Sequence, residues 1–169
     1  MAGEVELVAV AEYFQAPYGG VTFSKKDQTP SVKTKNGKMV TGQTTVAKHL
    51  SQAGKVSSGL TLEDQAAVEQ WLEYRCTQVD RCGHNGIPVS QVLQELNLYL
   101  TDKVYFVTHH PTLADIFLYH GLHKIISKLT FQEKEKYVHV SRWFDNIQQD
   151  TTLRQSLQLL PFSRSSLYS

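Results

Sequence analysis

Cysteine is scarce: Cys76 and Cys82 are the two thiols in 169 residues, too few for a disulfide scaffold. Five prolines and ten glycines exclude a low-complexity or collagen-like chain. Neither sign of charge dominates. Seventeen Lys plus Arg against sixteen Asp plus Glu leave +1, which argues against direct nucleic-acid binding driven by global charge. Long apolar runs are missing too. Ile116 to Tyr119 falls far short of the roughly 20 residues a membrane span needs, so no membrane partner is expected. The start, Met1 to Glu6, lacks the basic-then-apolar order of a signal peptide, and no Asn-x-Ser/Thr acceptor occurs. These absences predict a reduced, cytoplasmic setting.

What is present is ordinary core material, 41% hydrophobic with 10% aromatic residues. That amount suits one domain or two small packed ones and excludes disorder. Charge divides the chain. Residues 1–60 carry a net +3 and residues 61–169 a net −2. The seam is Gly54-Lys55-Val56-Ser57-Ser58-Gly59, small and polar as linkers tend to be. The expected division is therefore 1–56, a linker at 57–60, and 61–169.

In the first part, Val5 to Phe14 reads as a helix ended near Pro17. Strands follow at Thr29–Lys33 and Lys38–Val40 around an Asn36-Gly37 turn. Thr44–Ser51 reads as a second helix, making a small α/β unit. The second part reads as helical almost throughout: 61–80, 89–100, 112–129, 131–137, 141–148 and 152–160. Thr61-Leu62-Glu63-Asp64 is a capping pattern, since the threonine oxygen can take an orphan amide and acids suit the positive helix end.

Helix 61–80 carries two stripes. Val68, Leu72, Cys76 and Val79 share one, at about 100° per residue. Ala67, Gln70, Trp71, Tyr74 and Gln78 share another, displaced by roughly 100°. Either both lie in one large core, or the second is an interface, where Trp and Tyr are enriched.

Candidate catalysts are few. There is no Gly-rich phosphate loop, no Gly-x-Ser-x-Gly and no His-Glu-x-x-His. Cys76, Cys82 and His84 lack an evident fourth metal ligand, so no metal is expected; Cys76 reads as a buried thiol and Cys82 as a loop thiol. His120 and His123 are helical neighbours without a carboxylate at matching spacing. Lys25, Lys26, Lys33, Lys35 and Lys38 gather near the hairpin as a phosphate-contacting patch or a solvated tip. The sharpest local signal is Pro111-Thr112-Leu113-Ala114-Asp115-Ile116. Thr112 as N-cap and Asp115 three residues on predict a structural capping box, worth about 0.5–2 kcal/mol.

Tyr105-Phe106-Val107 with Pro111-Thr112-Leu113-Ala114-Asp115 resembles the capping-box motif in the helical domain of glutathione transferases. Thr29-Pro30-Ser31-Val32 resembles the strand bearing the cis-proline of their thioredoxin-like domain, which makes Pro30 a cis-proline candidate. Thr41 to Leu50 resembles the helix after it. The implied fold is a truncated α/β thioredoxin-like unit followed by an all-α, transferase-like domain. Gly42-Gln43 stands where transferases hold the γ-glutamyl carboxylate with an acidic or Gln-Ser pair, and no thiolate-activating residue is in place. The resemblance therefore implies no catalytic residue and no cofactor.

The match narrows over Gln70-Trp71-Leu72-Glu73-Tyr74-Arg75, Leu100 to Tyr105, Gln132 to Tyr137 and Val140-Ser141-Arg142-Trp143-Phe144. These resemble the complex-interacting multifunctional proteins of the elongation factor 1 epsilon type, which serve the aminoacyl-tRNA synthetases. That resemblance implies a non-catalytic scaffold of the multisynthetase complex. One face, Ala67, Gln70, Trp71 and Tyr74, would dock on the transferase-like domain of methionyl-tRNA synthetase. A second, at Arg142, would meet that of glutamyl-prolyl-tRNA synthetase. Trp143 and Phe144 are expected in the core. A nuclear role in DNA-damage signalling is also implied. Alternatives are a small glutathione transferase with an atypical active site and a tRNA-binding accessory protein.

Overall fold

The computed structural model describes residues 2–56, 59–83 and 86–162. The chain forms two units, Met1–Leu60 and Thr61–Ser169.

The first unit runs α1 (Ala2–Phe14), β1 (Val21–Phe23), β2 (Pro30–Lys33), β3 (Met39–Thr41) and α2 (Gln43–Ala53). The sheet is antiparallel in the order β1-β2-β3. Val46, Ala47 and Leu50 of α2 and Leu7, Val10 and Phe14 of α1 are buried, because each helix repeats its apolar residues at helical spacing. Gly37 takes φ +78° in the β2–β3 turn, a left-handed conformation that suits glycine, and Thr34 N–H closes the hairpin on Lys38 O at 2.8 Å. Strand β1 has no counterpart in the sequence reading; three residues are too few to display an alternation.

Pro30 corrects an expectation. Among the described residues no peptide bond is cis, so Pro30 is trans. It opens β2 opposite Phe23, a place where a missing N–H is tolerated. The preceding Thr29 carbonyl accepts Ser24 N–H at 3.0 Å, and Pro30 O accepts Gly42 N–H at 2.9 Å. The chain thus enters β2 extended from the β1–β2 turn. The lysines are also divided: Lys25 and Lys26 sit in the turn before β2, and Lys35 and Lys38 near the turn after it. A four-residue strand puts about 10 Å between its ends.

The second unit comprises α3 (Leu62–Tyr74), a π-helical turn (Arg75–Val79), α4 (Val89–Tyr99), α5 (Leu113–Ile126), α6 (Phe131–Lys136), α7 (Val138–Gln149) and α8 (Thr151–Arg154). Helix α5 is buried from Leu113 to Tyr119 and forms the centre. Around it lie Val68 and Leu72 of α3, Val92, Leu93 and Leu96 of α4, and Val140, Trp143, Phe144 and Ile147 of α7. Helix α3 starts at a capping box: Thr61 N–H donates to Asp64 Oδ2 at 3.0 Å and Asp64 N–H to Thr61 Oγ1 at 3.1 Å. Helix α8 is shorter than its sequence suggests. Gln155, at φ 54°, ends it, and after a short turn the chain runs without regular secondary structure to Phe162. There the Gln148 amide reads both sides of Leu160, accepting its N–H at 2.9 Å and donating to its carbonyl at 2.8 Å. These bonds from the Gln148 side chain hold the segment in place of the helix expected over 152–160.

Candidate functional site

The α3 face is built around Trp71. Its ring meets those of Tyr74 at 5.3 Å and of Tyr99 and Phe106 at 4.6 Å each, all edge-on. That contact fixes Trp71 from below and leaves it half-buried. Ala67 and Tyr74 are likewise half-buried and Gln70 is exposed, so the four residues share one partly open helix face. Tyr74 is further oriented from α4. Its hydroxyl donates to Glu95 Oε2 at 2.8 Å, while Gln91 Nε2 donates to Glu95 Oε1 at 3.1 Å. Burial, then the Glu95 carboxylate, push the Tyr74 phenol far above its usual range, so it stays a donor. Beside it lies an open groove of about 390 Å³ lined by Gln70, Glu73, Tyr74, Thr77, Gln78 and Glu95. The spacing of α3 identifies Gln70 and Tyr74. It does not identify Glu95, which arrives from a helix 21 residues away.

The Arg142 region differs from a free surface charge. Arg142 Nη2 donates to Leu100 O at 2.8 Å and to Lys103 O at 2.7 Å. It ties α7 to the end of α4 and the loop after it. Asn97 Oδ1 strengthens the same junction, accepting His139 N–H at 2.9 Å and Val140 N–H at 3.2 Å at the start of α7. Three large apolar side chains on these segments remain open: Leu98 at 76%, Val104 at 57% and Val138 at 54% exposure.

Thr112 and Asp115 form a capping box, and Asp115 does more than cap. Its Oδ2 accepts Thr112 N–H and the Thr112 hydroxyl, each at 3.0 Å. Its Oδ1 accepts Phe106 N–H and Trp143 Nε1–H, also at 3.0 Å. The residue is fully buried. Burial raises its carboxyl above the usual range, and the four hydrogen bonds pull the other way. Trp143 and Phe144 are core, at 1% and 0% exposure.

Other candidates resolve as structural groups. Cys76 is exposed, not buried as expected, whereas Cys82 lies in the turn after the π-helical segment, as expected, and is buried there. The π-helical turn starting at Arg75 breaks the 100° progression that put Cys76 on the apolar stripe. Burial and the nearby Asp80 carboxylate push the Cys82 thiol up. His84 lies outside the described residues, and among those described no group of three or more His, Cys, Asp and Glu could hold a metal ion. His120 and His123 each place Nε2 on a backbone carbonyl, Leu153 O at 2.9 Å and Gln158 O at 2.8 Å. Gln43 turns its amide toward α1, donating to Gly3 O at 2.7 Å and Glu6 Oε2 at 2.8 Å. Among the described residues no helix is long and apolar enough to cross a membrane.

A family described as nuclear-export cofactor Arc1p matches residues 64–151. A glutathione S-transferase of class Gtt2 from Vibrio parahaemolyticus superposes with a TM-score of 0.70 at 16% identity, over 92% of each chain. The fold is accordingly that of the glutathione transferases, a thioredoxin-like unit followed by a helical one. A bifunctional glutamate/proline–tRNA ligase from Cricetulus griseus is 25% identical over 64% of this chain and 7% of its own length. The human eukaryotic translation elongation factor 1 epsilon-1 is 50% identical over 84% of this chain and 82% of its own. At that identity over most of both sequences, the chain belongs to the eukaryotic translation elongation factor 1 epsilon-1 family.

Proposed function

We propose that this protein is a non-catalytic auxiliary subunit of the translation machinery, a scaffold that holds aminoacyl-tRNA synthetases together in the cytoplasm. The observation that carries the reading is the α3 face. Trp71 and Tyr74 are held rigidly by rings and by Glu95 yet remain partly open beside a groove. Preorganised aromatic residues of this kind make interface anchors, because little freedom is lost on binding. The partner proposed for this face is the transferase-like domain of methionyl-tRNA synthetase. The similarity to a glutamate/proline–tRNA ligase supports a second docking between like folds. For that contact the Arg142 junction, with exposed Leu98, Val104 and Val138, is the proposed surface. The inward turn of Gln43 supports a role without glutathione chemistry.

The test is light scattering coupled to size exclusion, with the chain mixed with the methionyl-tRNA synthetase domain. A one-to-one complex is expected, and Tyr74→Glu, which places a charge beside Glu95, should abolish it. Separate elution of the wild-type chains would overturn this partner; unchanged affinity of the variant would overturn this face.

A further inference from the structure

We infer that the α3–α4 face is electrostatically selective: it accepts a basic protein surface, with a Lys or Arg side chain entering the Glu73–Glu95 groove, and rejects a second copy of this chain. The inference rests on the docking reading above and adds the chemistry of the partner.

The charge on these two helices has one sign. Helix α3 carries Glu63, Asp64, Glu69 and Glu73 and no Lys or Arg; α4 carries Glu95 and none either. Arg75, directly after α3, is turned away: Nε pairs with Asp80 at 2.6 Å and Nη1 donates to Phe117 O at 2.6 Å. Lys103, the cation over Tyr99 at 4.7 Å, is paired with Asp102 at 3.2 Å. Within the groove, Glu73 is exposed and its carboxylate has no hydrogen bond or ion pair among the described residues. Glu95 accepts two hydrogen bonds from neutral groups, which orient its charge without cancelling it. The groove residues Gln70, Thr77 and Gln78 add neutral donors and acceptors.

A cleft with two carboxylates beside the fixed Tyr74 ring suits a cation, above all a guanidinium, which can fork onto carboxylates and stack on a ring. Self-pairing would fare worse. A two-fold pair is isologous, so the same patch faces itself. Glu63 and Glu73 of one copy would then meet a surface of like charge, a built-in bias against the wrong partner.

The experiment measures affinity for the methionyl-tRNA synthetase domain between about 0.05 and 0.5 M salt, a range that shortens the screening length severalfold. It uses the wild-type chain and Glu73→Lys. Weakening of about tenfold with salt, and a similar loss in Glu73→Lys, is expected. A complex indifferent to both would overturn the charge inference and leave the docking reading standing. If no complex forms at all, that reading has failed, and a second arm decides the inference. Wild type is mixed at low salt with a Glu63→Lys/Glu73→Lys copy, which serves as the basic probe surface. Pairing of the mixture, with wild type alone monomeric, supports selectivity for a basic face. Wild type dimerising alone, or a mixture that stays monomeric, overturns it.

Discussion

Arg75 lies directly across Gly121. A methyl group at Gly121 would come within 2.6 Å of Arg75 Cδ and 2.8 Å of its Cζ. The guanidinium is held there by Phe117 O and Asp80, and it also lies 5.6 Å from the Phe117 ring centre. Glycine on α5 is therefore what lets the π-helical turn pack against the central helix. Gly121→Ala should destabilise the protein by about 1–3 kcal/mol, the usual range for overpacking, read as a lower urea midpoint. Combining it with Arg75→Ala should cost less than the sum of the two single changes, because the shortened side chain takes away the atoms that the new methyl would strike.

Asp115 joins three segments through one carboxylate: Thr112 at its own helix start, Phe106 in the preceding loop and Trp143 on α7. An asparagine keeps the shape and replaces one acceptor oxygen with a donor, so at least one buried donor must face an N–H. Asp115→Asn should cost about 2–4 kcal/mol, beyond the loss of a cap alone, because buried partners are left unsatisfied. A change as small as a surface cap, under about 1 kcal/mol in urea unfolding, would show that the Phe106 and Trp143 bonds contribute little.

The contrast between these residues shows what the sequence displays. The Thr112–Asp115 pair is local, three residues apart, so its pattern is legible and its position came out correctly. The Trp143 bond joins residues 28 apart, so the sequence makes the residue look like a cap when it is a hub. The α3 face is legible for the same local reason: Ala67, Gln70, Trp71 and Tyr74 recur at helical spacing. Its other wall is not, because Glu95 reaches the groove only through the pairing of α3 with α4. Cys76 leaves the apolar stripe because the π-helical turn that begins at Arg75 shifts its phase, while Val79 at the end of that turn stays buried. The lysine group looks compact along the chain and is separated by the antiparallel course of β2. Pro30 marks its strand correctly, but the residue type alone does not set the isomer.

His120 gives a pH dependence with a definite sign. Burial, opposed by its bond to Leu153 O, lowers its pKa to about 4 from an ordinary 6.5. The unfolded chain therefore binds a proton that the folded chain refuses between those values. Its contribution to stability is fully present above about pH 6.5 and is lost as pH falls toward about 4. Between pH 7 and pH 5 the loss should be about 1–2 kcal/mol. Unfolding midpoints measured across that range should fall for the wild type, and the slope should flatten in His120→Asn. An equal slope in the variant would assign the effect to other groups.

Arg142 ties two segments together and leaves the rest of its side chain exposed. Its Nη2 closes the end of α4 and the following loop through Leu100 O and Lys103 O. Arg142→Ala removes a charged donor from both carbonyls, which should cost about 0.5–1.5 kcal/mol in unfolding and loosen the segment carrying Val104. Arg142→Lys can keep one of the two bonds as a point charge but not the planar fork. On the docking reading, the alanine change weakens the glutamyl-prolyl contact and leaves the methionyl contact intact, because the hydrogen bonds of Arg142 go to Leu100 and Lys103 and not to Ala67, Gln70, Trp71 or Tyr74. The lysine variant separates tie from contact. If lysine restores stability without restoring the glutamyl-prolyl titration, the guanidinium itself meets the partner. If both return together, Arg142 acts by ordering the loop. Loss of the methionyl contact in either variant would mean that the two faces are coupled through the fold, and the assignment of Arg142 to a separate surface would be wrong.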